Sequence, residues 1–434
     1  MALNVDLRVL TQPGAPGNET ISLPADFDPK VILLWGSHRA AAGTGAHAQL
    51  GMGFATYRGS VVQQWFLTAT AEDAQLTGDT ATESGSTALY VLLNAATPTA
   101  RDLEIDLVSM QGGATSQVVI DWVNLHTTAS VKVNCLILGG AEIADALVGS
   151  YTVTTSEANR DVTVATGFGK PDLVMQLPGI GTGVFTGARF NFGFGKKGEA
   201  GRCLQYSSLD GNATMFVTTS QRSDMIARQG QGTSTNTFTA EGLWALDTVE
   251  ANWPTDGYRI LYTTAPTFAF PVGYLALKGT FTAMTGNGVA PTSGTPPVTQ
   301  DLDHGSPPKV ALLFGWNLVA NTAVDVSSAD LGGLFIGAGD GTTELVAGIT
   351  DDDAALDSVA KSYWSDAKVV QNYDVVPTLQ SEADGSIVGD TFRLSWNDID
   401  TVAREYQWLT LGNAPAVPTS LIYAPAPMAA HLVR

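Results

Sequence analysis

One apolar stretch recurs three times along the chain. It reads Pro29-Lys30-Val31-Ile32-Leu33-Leu34-Trp35-Gly36, then Pro171-Asp172-Leu173-Val174-Met175-Gln176-Leu177-Pro178-Gly179, then Pro308-Lys309-Val310-Ala311-Leu312-Leu313-Phe314-Gly315. In each copy a proline, which cannot donate a ladder hydrogen bond, opens a short apolar run that a glycine or turn closes, as expected of a buried strand. The prolines lie roughly 140 residues apart, a domain-sized rather than a solenoid-sized spacing.

A second segment follows each signature strand after a polar, glycine-rich connection. The three versions are Ala48-Gln49-Leu50-Gly51-Met52-Gly53-Phe54-Ala55, Ala188-Arg189-Phe190-Asn191-Phe192-Gly193-Phe194-Gly195 and Asp330-Leu331-Gly332-Gly333-Leu334-Phe335-Ile336-Gly337. Their period is near two, with glycine alternating with large apolar groups, so one strand face is bare and open to close approach by a backbone or an aromatic ring. Each unit closes with two more alternating strands, expected to pair as a hairpin with a longer turn. These are 117–122 with 131–139, 256–262 with 272–279, and 390–396 with 406–412, with Trp122, Tyr262 and Trp396 at matching core positions.

The predicted fold is therefore all-β. It consists of three tandem β-sandwich repeats, jelly-roll or Ig-like, at 1–145, 146–279 and 280–414, followed by an extended proline-spaced arm at 415–434. The 46 glycines and the shortage of long amphipathic helical patterns agree with that class.

Charge narrows the function. With 22 Lys and Arg against 42 Asp and Glu, the net charge is −20, which repels nucleic-acid phosphates and anionic membranes. The cationic pair Lys196-Lys197 sits in a glycine turn and makes no basic patch. No run approaches the ~18 apolar residues of a membrane span, and 1–10 lacks a signal-peptide pattern, so assembly in a cytoplasm is expected. Without export, the glycosylation-type triplets at Asn18 and Asn212 carry no weight. Cys135 and Cys203 fall in different repeats and read as buried free thiols.

Candidate chemistry is sparse. Gly193-x-Gly195 and Gly337-x-Gly339 superficially resemble nucleotide-binding loops, but no helix opens after them, so they read as strand glycines. Asp351-Asp352-Asp353 could hold Ca²⁺ but lacks the alternating ligand spacing of an EF-hand, and reads as a solvated loop. None of the histidines (His38, His47, His126, His304, His431) belongs to a zinc motif. His38 and His47 share the connection after the first signature strand, where the other repeats have none, so a metal pair and a pair of exposed loop histidines are the alternatives. No nucleophile elbow is present. The expectation is a non-enzyme with no catalytic, cofactor-binding or metal residues.

The strand at 308–315, the Gly-Phe-Gly-like segment at 192–195 and the closing Tyr274-Leu275-Ala276-Leu277-Lys278-Gly279 together resemble a β-sandwich module of tailed-bacteriophage structural proteins. Repeat two has Asp172 where lysine is expected, and repeat one lacks the tyrosine before Leu136-Ile137-Leu138-Gly139. The resemblance implies a surface-exposed virion protein without cofactor or catalysis, assembled in the host bacterial cytoplasm within a symmetric particle and contacting other virion proteins. It implies a tail, fibre or baseplate component whose loops meet a host receptor or glycan; the alternative is a capsid decoration protein, and a lectin-like cellular adhesin ranks behind both. Three covalent repeats would also let one chain imitate a trimer. The connections after the signature strands differ most between repeats and are the expected partner-binding loops.

Overall fold

The computed structural model describes residues 2–72, 80–155, 157–181, 183–209, 216–232, 238–319, 325–329, 331–352, 360–373 and 378–414. The chain is all-β, with a single 3-10 turn, Glu250–Asn252, among the described residues. Among the described residues the strands form three seven-stranded and three four-stranded sheets, each four-stranded sheet stacked on a seven-stranded partner as one sandwich-like lobe.

All three seven-stranded sheets have the same order. The first runs Asn4–Thr11, Lys132–Gly139, Pro29–Gly36, Ala48–Arg58, Val61–Ala71, Thr80–Gly85 and Gly183–Thr186. The second runs Ile143–Val153, Phe270–Gly279, Leu173–Pro178, Ala188–Lys196, Arg202–Leu209, Phe216–Arg222 and Asp325–Ala329. The third runs Thr282–Val289, Arg404–Gly412, Pro308–Val319, Leu331–Gly339, Glu344–Asp352, Lys361–Ser365 and Gly43–Ala46. The last strand of each sheet comes from another lobe. The second lobe lends a strand to the first, the third to the second and the first to the third, so the exchange closes a ring.

The signature strand is the third strand of every seven-stranded sheet, and its apolar run, unbroken in the first and third copies, follows from burial on both faces. Val31, Leu33 and Trp35 face a core common to all three lobes, while Ile32 and Leu34 face the first lobe's own interior. Val310, Leu312 and Phe314 face the common core, with Ala311 and Leu313 turned into the third lobe. In the looser copy, Leu173, Met175 and Leu177 point to the common core. There the opposite face carries Gln176, which accepts from Trp244 Nε1 at 2.9 Å and lies 3.3 Å from the Tyr258 hydroxyl, so its buried amide is paired. Phe192 stacks on Phe314 across a lobe boundary, with centroids 4.4 Å apart.

The glycine-alternating strands lie beside the signature strands. A Cβ at Gly53, Gly193 or Gly337 would overlap the carbonyl oxygen of Leu89, Ile226 or Val369 respectively, so glycine at these three equivalent sites lets the backbone leading into each four-stranded sheet press onto the larger sheet.

Three expectations change. The closing strands are not hairpins: Gln117–Asn124, Gly257–Thr264 and Thr391–Asp398 lie in four-stranded sheets, whereas Lys132–Gly139, Phe270–Gly279 and Arg404–Gly412 lie in seven-stranded ones. Alternation reports which face is buried, not which strand is the neighbour, and here the connection crosses between sheets. The repeat boundary expected at 145 falls inside Ile143–Val153, which pairs wholly with Phe270–Gly279 of the second lobe. The connections after the signature strands hold the exchanged strands Gly43–Ala46, Gly183–Thr186 and Asp325–Ala329, so their partners include neighbouring lobes of the same chain. The arm at 415–434 lies outside the described residues.

Candidate functional site

Each junction between lobes carries the same hydroxyl-to-amide bond. Thr82 Oγ1 accepts from the Arg189 amide, Thr219 Oγ1 from the Gly333 amide at 3.2 Å, and Ser362 Oγ from the Gln49 amide at 2.8 Å. The first two junctions are also bridged by the chain itself, through 140–142 and 280–281. The third, between the last lobe and the first, closes without a covalent connection. There the Leu3 amide donates to Asn413 Oδ1 at 2.8 Å, placing the two ends of the described chain side by side.

The histidines gather at that third junction. His38 and His47 flank the exchanged strand Gly43–Ala46, and His126 arrives from the loop after Gln117–Asn124. The His38 ring stacks on His126 at 5.8 Å between centroids and 21° between planes, and lies 6.5 Å from His47. Together with Asp102, Asn94 and Gln49 they line a cleft of about 290 Å³. His38 is 9% exposed and His126 8%, so both imidazoles are core groups rather than loop groups.

Hydrogen bonds fix His126. Gln12 holds its backbone at both ends: Nε2 donates to the carbonyl at 2.9 Å, and Oε1 accepts from the amide at 3.0 Å. The Thr128 amide donates to His126 Nδ1 at 2.9 Å, so the neutral ring carries its proton on Nε2. That nitrogen lies 3.3 Å from Asp102 Oδ2 without hydrogen-bond alignment, and Asp102 Oδ1 accepts from Asn94 Nδ2 at 3.0 Å. His38 Nδ1 is buried without a partner. Burial pushes the His38 pKa down to about 3, helped by His126, Arg39 and His47. Burial also lowers His126, against the pull of Asp102.

The cleft brings three imidazoles together with Asp102, Thr127 and Thr128. Near-parallel rings do not converge their lone pairs on one point, and among the described residues no group of three or more His, Cys, Asp or Glu is arranged to hold a metal ion. Sequence reasoning singled out His38 and His47 but not His126, which lies far along the chain and joins them only through the fold; its one local trait is a buried position after an alternating strand.

The remaining candidates are structural. Asp351 is buried and accepts from the Tyr206 hydroxyl at 2.6 Å, joining the second and third lobes, so it is a core contact rather than a solvated loop residue; Asp353 lies outside the described residues. A Cβ at Gly195 or Gly339 would press on Leu246 or Phe392, a packing reason for glycine. Lys197 pairs with Asp172 at 2.8 Å and Lys196 with Glu199 at 3.2 Å. Cys135 and Cys203 are buried and not joined in a disulfide, and burial raises the Cys135 pKa. His304 Nδ1 sits 2.7 Å from Thr410 Oγ1 in the third lobe. Asn18 lies in the strand Gly17–Ser22, while Asn212 and His431 fall outside the described residues. No helix among the described residues is long and apolar enough to cross a membrane. No protein-family model, curated protein or solved structure matches the chain.

Proposed function

We propose that the chain is a non-enzymatic structural protein of a tailed-phage particle, exposed on the tail, fibre or baseplate and contributing to host attachment. The observation that carries this reading is the closed exchange of edge strands, which gives a single chain three similar lobes around one core. Such a subunit fits a three-fold position without help from further copies, and tails and fibres offer such positions. The resemblance of 308–315, 192–195 and 274–279 to phage structural modules supplies the particle. Its partners are then other virion proteins and a receptor or glycan on the host surface. The strongly acidic composition supports a protein–protein role over nucleic-acid binding.

A second reading, capsid decoration, is favoured by the same completeness: a one-chain ring can be added to a three-fold site of a finished shell in a single binding step. Gold-labelled antibody on intact particles separates the two. Label at the tail end supports host attachment, and label spread over the head moves the protein to decoration. Particles that carry no label remove both readings.

A further inference from the structure

We infer that the junction between the last lobe and the first is an acid-released latch: protonation of the imidazoles of His38 and His126 frees Gly43–Ala46 from Lys361–Ser365 and opens the ring at that seam. The inference stands whether or not the chain belongs to a particle.

Three features single out this junction. It is the one closed without a covalent connection between its lobes. Its exchanged strand, Gly43-Thr44-Gly45-Ala46, has no large apolar side chain, whereas Val184 of the equivalent at 183–186 packs against the cluster of Phe66, Ala81 and Val91. The strand is therefore held by its ladder to Lys361–Trp364, by the Ser362 hydroxyl donating to the His47 carbonyl at 2.7 Å, and by Ser37 Oγ donating to the Tyr363 carbonyl at 3.1 Å. Finally, His38, His47 and His126 all sit at its root, while the other two junctions have no histidine at the matching connection.

Charged residues are placed near this cluster by several neighbouring elements. Arg39, from the same connection, lays its guanidinium where a Cβ of Gly45 would be. Asp102 approaches from Arg101–Gln111. Lys361 of the third lobe is in register with Ala46, and Glu72 follows Val61–Ala71, whose Ala71 pairs with Ala48. With the buried rings of His38 and His126 protonated beside Arg39, three cationic groups gather around the carboxylate of Asp102, a repulsive balance that exposure to water relieves. The direction follows from the burial of His38. A base held below its ordinary pKa favours the closed, neutral form, so closure is complete above about pH 6.5 and weakens as the pH falls toward about 3.

Hydrogen exchange on the full chain, near neutral pH and near pH 5, with intrinsic exchange rates corrected, tests the latch. Protection at 43–46 and 361–365 is expected to fall roughly tenfold in acid, while the strands Gly183–Thr186 and Asp325–Ala329 keep theirs. Equal loss at all three junctions, or none at the third, overturns the inference. The double variant His38→Gln/His126→Asn, in which Asn can still accept from the Thr128 amide, should lose the acid response. A folded variant that retains the response overturns it as well. The comparison of three junctions within the unaltered protein serves as the test if that variant does not fold.

Discussion

Replacing Phe192 by alanine tests whether one core holds all three lobes. Phe192 is 1% exposed, stacks on Phe314 of the third lobe at 4.4 Å and 29°, and lies 5.9 Å from Phe194. Burying such a ring is worth about 1.5–3 kcal/mol, and truncation adds the cost of the cavity, for a total of about 3–5 kcal/mol. The lost aromatic pair lies within that range. Because signature strands from three lobes meet in this core, the loss should appear in the unfolding of all of them. Urea denaturation gives the magnitude, and native-state hydrogen exchange at Pro29–Gly36 and Pro308–Val319 shows where it falls. A loss below about 1 kcal/mol would refute the packing argument. A full-sized loss confined to the second lobe, with unchanged protection in the other two, would refute the shared core.

Ser362→Ala removes a hydroxyl that both accepts from the Gln49 amide and donates to the His47 carbonyl, so it should cost about 1–3 kcal/mol in urea denaturation; a change under a few tenths would count against the bond. Since Leu3 and Asn413 touch, joining residue 414 to residue 2 through a short linker, with 415–434 removed, and reopening the chain near residue 141 should give a folded monomer with the same strand content by circular dichroism; aggregation of that permutant would argue against the ring. The Glu344 carboxyl is pushed up to about 7 by burial and then by Asp384, so its ionisation opposes folding as pH rises from its ordinary 4.5 toward 7. Glu344→Gln should therefore raise the melting temperature near pH 8 and leave it nearly unchanged near pH 4, and the reverse ranking would overturn that assignment.

Much of the strand inventory was legible. The runs opening at Pro29, Pro171 and Pro308 identified central strands because double-sided burial leaves no polar alternation, and the glycines at 53, 193 and 337 advertised close approach. The strand exchange was not legible. Gly43-Thr44-Gly45-Ala46 shows no period, since an edge strand held by backbone bonds asks little of its side chains. The closing segments showed which residues are buried but not that their loops pass from one sheet to the other. For the candidate site, His38 and His47 could be noticed as neighbours in sequence, but His126 and Asp102 reach them through the stacking of the first lobe's two sheets.

Joining the three lobes in one chain also removes dilution as a threat. Three separate chains exchanging edge strands would fall apart below their dissociation constant, whereas tethered lobes face one another at a local concentration set by the linker, typically millimolar for short ones. At 140–142 and 280–281 that linker is only three and two residues long. Tethering also frees the lobes from identity. A substitution in a homotrimer appears at every interface, but here each junction has its own residues, and histidines can collect at one while Thr82 and Thr219 hold the other two.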